Sequence, residues 1–191
     1  ETDYAMSTIL TTEKEVKRIE KQLNLNLNLN FIGTFYNEKE YISSLGNVIN
    51  INRSKKSDFL LFSYHGIPNR HLLKTDPTKN HCLKAKDCCE VESEAKPFCY
   101  KAQVLETSRL CANELNLKEE EWGVSFQSRI GPGWIEPFTD KELVNLVKVL
   151  DLDFQNIDSV LNVDRTLWAF ALNQVIANLC LLYTSPSPRD A

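Results

Sequence analysis

Apolar positions along the chain alternate between helical spacing and short unbroken runs. Thr12 to Leu23 reads as a helix, with Thr12 and Glu15 in a capping-box pattern and Val16, Ile19 and Leu23 at helical intervals. Leucine and asparagine then alternate through Asn30; strict alternation suits an edge strand, while asparagine, a poor strand former that favours loops, suits a solvated connector, the reading adopted. Asn30 to Tyr36 is a short strand candidate. Asn37 is placed to cap a helix, with Glu40 three residues on and Ile42, Leu45 and Ile49 on its apolar face; the basic stretch Arg53 to Lys56 closes that unit. Asp58 to Tyr64 is the clearest strand, because Phe59 to Phe62 is apolar without alternation, as in a strand covered on both faces. Residues 75–98 look irregular, Tyr100 to Leu115 reads as a helix with Val104, Cys111 and Leu115 along one face, and Trp122 to Phe126 is a second buried strand. Gly131, Pro132 and Gly133 break the chain. Thr139 and Glu142 form another capping box, followed by Leu143, Leu146, Val147 and Leu150 on one amphipathic stripe. Strand and helix alternate three times, which predicts an α/β domain with a parallel sheet and right-handed crossovers.

Composition narrows the partners. Of 191 residues, 42% are hydrophobic and 25% charged, and the formal net charge is −4. No basic stretch stands out, which argues against nucleic acid. No apolar run reaches the roughly 18–20 residues that span a bilayer. The N-terminus lacks an initiator Met and the features of a secretory leader, so the chain starts after processing or inside a longer protein. A cytoplasmic setting is expected. Of six cysteines, five fall between Cys82 and Cys111. Such local crowding favours a metal site or reduced thiols over a disulfide scaffold.

In parallel sheets, ligands gather beyond the carboxyl ends of the strands. One strand runs into Ser63-Tyr64-His65-Gly66-Ile67-Pro68 and the other into Gln127-Ser128-Arg129. If the strands are parallel neighbours, both groups open onto one cleft. The segments Phe62 to Pro68, Thr75-Asp76-Pro77, and Phe126 to Gly131 followed by Trp134 to Pro137 resemble, in order and spacing, the signature of ferrochelatases. The resemblance runs from about residue 4 to residue 150.

The resemblance implies a Rossmann-like, chelatase-type lobe and the insertion of Fe²⁺ into protoporphyrin IX to form protoheme. His65 would be proton acceptor, metal ligand or both, since imidazole has an ordinary pKa of about 6.5 and binds borderline metals. Trp134 would pack on the macrocycle. Tyr64, Ile67 and Pro68 would shape the cleft wall, and Arg70 and Arg129 would pair with the propionates. His71 and His81 read as surface residues. Cys82, Cys88, Cys89 and Cys99 lie in a segment similar to the cysteine-rich insertion that carries a [2Fe–2S] cluster in some bacterial ferrochelatases; zinc or free thiols are the alternatives. Cys111 reads as a small core residue, and Cys180 lies outside the matching stretch.

The same resemblance divides the chain. Residues 1–29 would end a first lobe, and residues 30–150 would form part of a second lobe with the cysteine-rich insertion at about 75–99. Residues 151–191 carry no family motif and read as a foreign or disordered tail. Ferrochelatases continue with a further strand and an acidic segment that faces the histidine. Neither is recognisable here, so the chain is expected to be an incomplete lobe with little or no activity alone. Competing readings are a non-catalytic cysteine-rich metal or iron–sulfur module, and a chelatase for another metal or tetrapyrrole. At most peripheral membrane contact is implied.

Overall fold

The computed structural model describes residues 9–53 and 59–149. The tail at 151–191, Cys180, Leu150, the side chain of Val147, Lys56 and Asp58 lie outside the described residues, as does the start of the matching stretch near residue 4. The elements are α1 (Ile9–Gln22), α2 (Lys39–Asn52), β1 (Leu60–His65), α3 (Asn69–Thr75), α4 (Tyr100–Glu114), β2 (Trp122–Gln127) and α5 (Thr139–Val149), with short 3-10 turns at Lys96–Phe98 and Glu119–Glu121.

β1 and β2 pair in parallel, in register from Leu60 opposite Trp122 to His65 opposite Gln127. The continuous apolar run of β1 is explained by cover on both faces, Leu60 to Ser63 being buried. Paired residues of parallel neighbours share a face. On one face, Leu60 and Phe62 pack with Leu45 and Ile49 of α2 and Cys111 of α4, with Trp122 and Val124 against them. Burying each such large side chain stabilises the fold by roughly 1.5–3 kcal/mol. Gly46 lets α2 approach α4, because a Cβ there would stand 3.1 Å from the Glu114 side chain.

The opposite face is held by hydroxyls. Thr139 Oγ1 lies 2.9 Å from Ser63 Oγ and 2.9 Å from Ser125 Oγ. The expected capping box of Thr139 with Glu142 is therefore not formed: Thr139 begins α5, and its hydroxyl ties that helix to both strands. Buried polar groups on α4 are likewise satisfied, Ser108 by Tyr64 and the Val104 carbonyl, Thr107 by the Tyr36 and Gln103 carbonyls, and Gln103 by the Pro97 carbonyl.

Other local expectations shift. α1 begins at Ile9, which places Thr12 inside the helix, and Glu15 pairs with Arg18. α2 is entered at Glu38, not Asn37, because a backbone turn from Phe35 precedes it. No strand forms at residues 30–36. That segment is fastened by side chains: Phe35 meets the Tyr41 ring edge-on at 5.5 Å, and the Thr107 hydroxyl donates to the Tyr36 carbonyl. Among the described residues the sheet therefore has two strands, and the predicted threefold alternation is reduced to its last two.

Candidate functional site

β1 and β2 end side by side, so the residues that follow them build one surface. The Gly66 amide donates to the Gln127 carbonyl at 2.8 Å and extends the ladder by one bond. A Cβ on Gly66 would lie 2.7 Å from that carbonyl oxygen and 3.4 Å from Trp134 Cε3, so the approach requires glycine. The two following loops then knit together. Pro68 and Trp134 form an antiparallel bridge, Ile135 N donates to the Ile67 carbonyl at 3.1 Å, and Asn69 N donates to the Gly133 carbonyl at 2.7 Å.

These contacts bring most of the sequence-chosen residues to one place. His65 is exposed at the strand end, on the sheet face it shares with Gln127. Trp134 and Ile67 are half-buried and Pro68 is buried between them. Arg70 is exposed on the first turn of α3. Arg129 is exposed too, ion-paired with Asp140 at 2.9 Å and stacked 4.3 Å from the centre of the Phe138 ring. Tyr64 turns to the opposite face, with its hydroxyl on Ser108 and its ring against Phe126. Sequence reasoning missed two neighbours, Asn69 and Gln127. Asn69 Oδ1 and Gln127 Nε2 are buried there without a protein partner. Gln127 stood inside a quoted motif, and its place opposite His65 follows once the register is known.

A second cluster forms in the irregular segment after α3. Its organiser is Asp76, which sequence reading placed in a motif without a role. The carboxylate is almost fully buried, and it accepts four hydrogen bonds: Thr78 N and Thr78 Oγ1 on Oδ1, His81 N and Cys82 N on Oδ2. Burial pushes its pKa up, but these donors outweigh it and hold the carboxyl well below the usual carboxylate range. His81, expected on the surface, is half-buried, with Nε2 2.7 Å from the Cys88 carbonyl oxygen; His71 is half-buried as well.

The coil folds Cys82, Cys88, Cys89 and Cys99 into one neighbourhood. Cys82, Cys88 and Cys99 are buried and Cys89 half-buried. The thiols of Cys89 and Cys82 hydrogen-bond Cys99, which caps the N-terminus of α4. The Cys89 bond, against the opposing effect of burial, lowers the Cys99 thiol to about 6, with help from the Ala102 amide, Cys82 and the Lys101 amide. Burial and then Cys99 push Cys82 up to about 12. The Cys99 hydrogen bond and burial raise Cys89 as well. Of these three thiols, Cys99 is thus the one whose proton is held most weakly. Cys111 sits apart in the other core cluster, its thiol pushed up to about 12 by burial, as a core residue would be.

Among the described residues, no three His, Cys, Asp or Glu side chains stand ready-made around a metal position. The donor chemistry nonetheless suits a soft centre. The Cys82 and Cys89 thiols reach Cys99, and Leu72, Ala95 and Ala102 share the core cluster of Cys82 and Cys99.

The family model described as Ferrochelatase matches residues 2–178, which extends past residue 150, where the sequence resemblance was taken to end. The chain is 42% identical over 147 residues to a ferrochelatase of Pseudomonas fluorescens (strain Pf0-1), covering 76% of this chain and 43% of that protein. It is 40% identical over 147 residues to one of Stutzerimonas stutzeri (strain A1501), with the same coverage. It is 42% identical over 145 residues to one of Ectopseudomonas mendocina (strain ymp), covering 75% of this chain and 42% of that protein. The chain thus spans less than half the length of the curated relatives it matches. With the strand-end surface and the match over most of its length, the chain belongs to the ferrochelatase family.

Proposed function

We propose that this chain serves ferrochelatase chemistry, the insertion of Fe²⁺ into protoporphyrin IX to give protoheme. The observation that carries the proposal is an exposed imidazole at the carboxyl end of β1, beside a half-buried Trp134, in a chain of this family. Residues 30–150 would form part of the lobe that presents these groups, with residues 1–29 closing a preceding lobe.

The porphyrin centre loses two protons as the metal enters. His65 accepts them one after the other from the pyrrole nitrogens and, being exposed, passes each to solvent. It also offers a nitrogen to the incoming Fe²⁺, the metal substrate. Trp134 gives the macrocycle a flat apolar surface, with Ile67 and Pro68 beside it and Tyr64 bracing the wall from behind through Phe126. Arg70 and Arg129 pair with propionates. Arg129 must exchange Asp140 for the substrate, which costs little because both partners are exposed.

Cys82, Cys88, Cys89 and Cys99 would hold a [2Fe–2S] cluster, which supplies one-electron chemistry and a covalent staple when bound. The chain's part is to present a thiolate at Cys99 and to exclude water from it. No helix among the described residues is long and apolar enough to cross a membrane. The setting we propose is cytoplasmic, with peripheral membrane contact, and it draws on the clustered cysteines standing as free thiols.

The test has two stages. Protoporphyrin should quench tryptophan fluorescence of this chain, and Trp134→Phe should remove most of the effect. Zinc insertion, followed by porphyrin fluorescence in a chain extended to the length of its relatives, should then be lost in His65→Ala. Full activity in that variant would sink the role of His65. No insertion by the extended wild-type chain would sink the function and favour the second reading, a cysteine-rich metal module, which draws on the clustered thiols.

A further inference from the structure

We infer that Tyr100 is a positioning residue for His65, because with Gln127 it clamps the peptide that follows the histidine from opposite edges of β1. The inference rests on reading His65 as the reactive imidazole. In a planar trans peptide the carbonyl and the amide point opposite ways. The His65–Gly66 peptide turns its amide to β2, where Gly66 N donates to the Gln127 carbonyl at 2.8 Å. Its carbonyl therefore faces the other edge of β1. Among the described residues the sheet has only β1 and β2, so no strand meets the carbonyl there. The Tyr100 hydroxyl does, donating to the His65 carbonyl oxygen at 2.9 Å across 35 residues of sequence.

Both anchors are themselves held. Gln127 is the last residue of β2 and stands in register with His65. Tyr100 is the first residue of α4, and its ring packs on the core cluster that contains Leu72, Phe126 and Ile135. The His65 side chain is exposed and not wedged among neighbours, so its direction follows from its own backbone. Rotation of the peptide after His65 is what the two hydrogen bonds resist. Without the hydroxyl, that peptide keeps only its amide bond to β2 and is free to rock about it. The bond lies at the surface, so water replaces the lost donor and the fold gives up little stability. What is lost is the preset direction of the imidazole toward a pyrrole nitrogen, on which proton transfer depends.

The test is Tyr100→Phe, which removes only the hydroxyl and keeps the ring, read by zinc insertion into protoporphyrin in the chain extended to the length of its relatives. The expected result is a kcat lower by about 10-fold with KM unchanged within about twofold, the pattern of a contact that serves the transition state and not substrate binding. Thr107→Val is the control. It removes a hydroxyl elsewhere on α4, bound to the Tyr36 and Gln103 carbonyls, and should lower the thermal midpoint while leaving kcat unchanged. A second readout needs no turnover. In this chain labelled with ¹⁵N-histidine, long-range ¹H–¹⁵N spectra report each imidazole, with His65→Gln to assign His65. Tyr100→Phe should move the His65 signal and leave those of His71 and His81 in place. Wild-type kcat in Tyr100→Phe, or a His65 signal that stays put, would overturn the inference. An equal loss of kcat in Thr107→Val, or a shift shared by all three histidines, would trace the effect to general loosening and overturn it too. Full activity in His65→Ala would instead remove the reading on which the inference rests.

Discussion

Asp76→Asn is the sharpest test of how the irregular segment is held. The carboxylate accepts two hydrogen bonds on each oxygen, from Thr78 N and Oγ1 and from His81 N and Cys82 N. Asparagine keeps the shape but offers one acceptor oxygen, so two donors face an NH₂ group whichever way the amide turns. Hydrogen bonds to charged groups contribute roughly 1.5–3 kcal/mol each, and Cys82 is buried, so loss of two bounds the cost at about 3–6 kcal/mol. Access of water to the Thr78 side of the turn reduces this to an expected ~2–4 kcal/mol. Urea unfolding of both proteins at neutral pH measures the difference, and amide exchange at His81 and Cys82 places it. The pH dependence follows from the lowered pKa. A depressed carboxylate contributes its full stabilisation above the unfolded value of about 3.9 and loses it as pH falls through the folded value. The gap between wild type and variant should therefore be constant above about pH 5 and close as the pH is lowered below about 4. A variant within about 0.5 kcal/mol of wild type at neutral pH, or a gap that does not narrow in acid, would refute the reasoning.

Further outcomes follow from the same geometry. Gly66→Ala places a Cβ 2.7 Å from a backbone oxygen that has no room to retreat, and should cost about 1–3 kcal/mol by thermal unfolding while displacing Trp134. An unchanged midpoint would mean the two strand ends are looser than the geometry requires. Thr139→Val keeps the volume and removes the hydroxyl shared by Ser63 and Ser125; with Ser125 fully buried, about 1–3 kcal/mol should be lost, read as a lower urea midpoint. Gln127→Met replaces a buried amide nitrogen that has no protein partner, so stability should stay level or rise by up to about 1 kcal/mol. Protoporphyrin quenching should weaken in that variant; weaker unfolding resistance with undiminished quenching would make Gln127 a packing residue.

The legible parts of the fold share one property: their signal is burial. Phe59 to Phe62 is apolar without alternation because β1 is covered by α2 and α4 on one side and α5 on the other. The stripe on α2 was readable for the same reason, Ile42, Leu45 and Ile49 being buried together. The misses are polar. Thr12, Asn37 and Thr139 all looked like caps, since a hydroxyl or amide before an apolar run satisfies free helix amides. Thr139 instead found Ser63, some 76 residues away, and a local rule has no access to such a partner. The strand expected at 30–36 failed similarly, because a sequence shows strand propensity but not whether an edge is there to pair with. The motifs located the strand-end residues, while the loop-to-loop bonds that assemble them were not legible, because they run through backbone groups that every residue carries.

The same distinction explains why the segment from Asp76 to Cys99 can lack regular structure and still be ordered. It has few large apolar side chains, so it cannot hold its place by burial alone. Asp76 gives it a charged anchor at its start, and the Cys99 cap ties its end to α4. Between them Cys82, Cys89 and Cys99 pack with Leu72 and Ala102, so the thiols are themselves the core of the segment. A cysteine-to-alanine series would then confuse lost packing with lost ligation. Asp76→Asn separates these effects, because it leaves all four sulfurs in the chain. It loosens the frame around them through the bonds lost at the His81 and Cys82 amides.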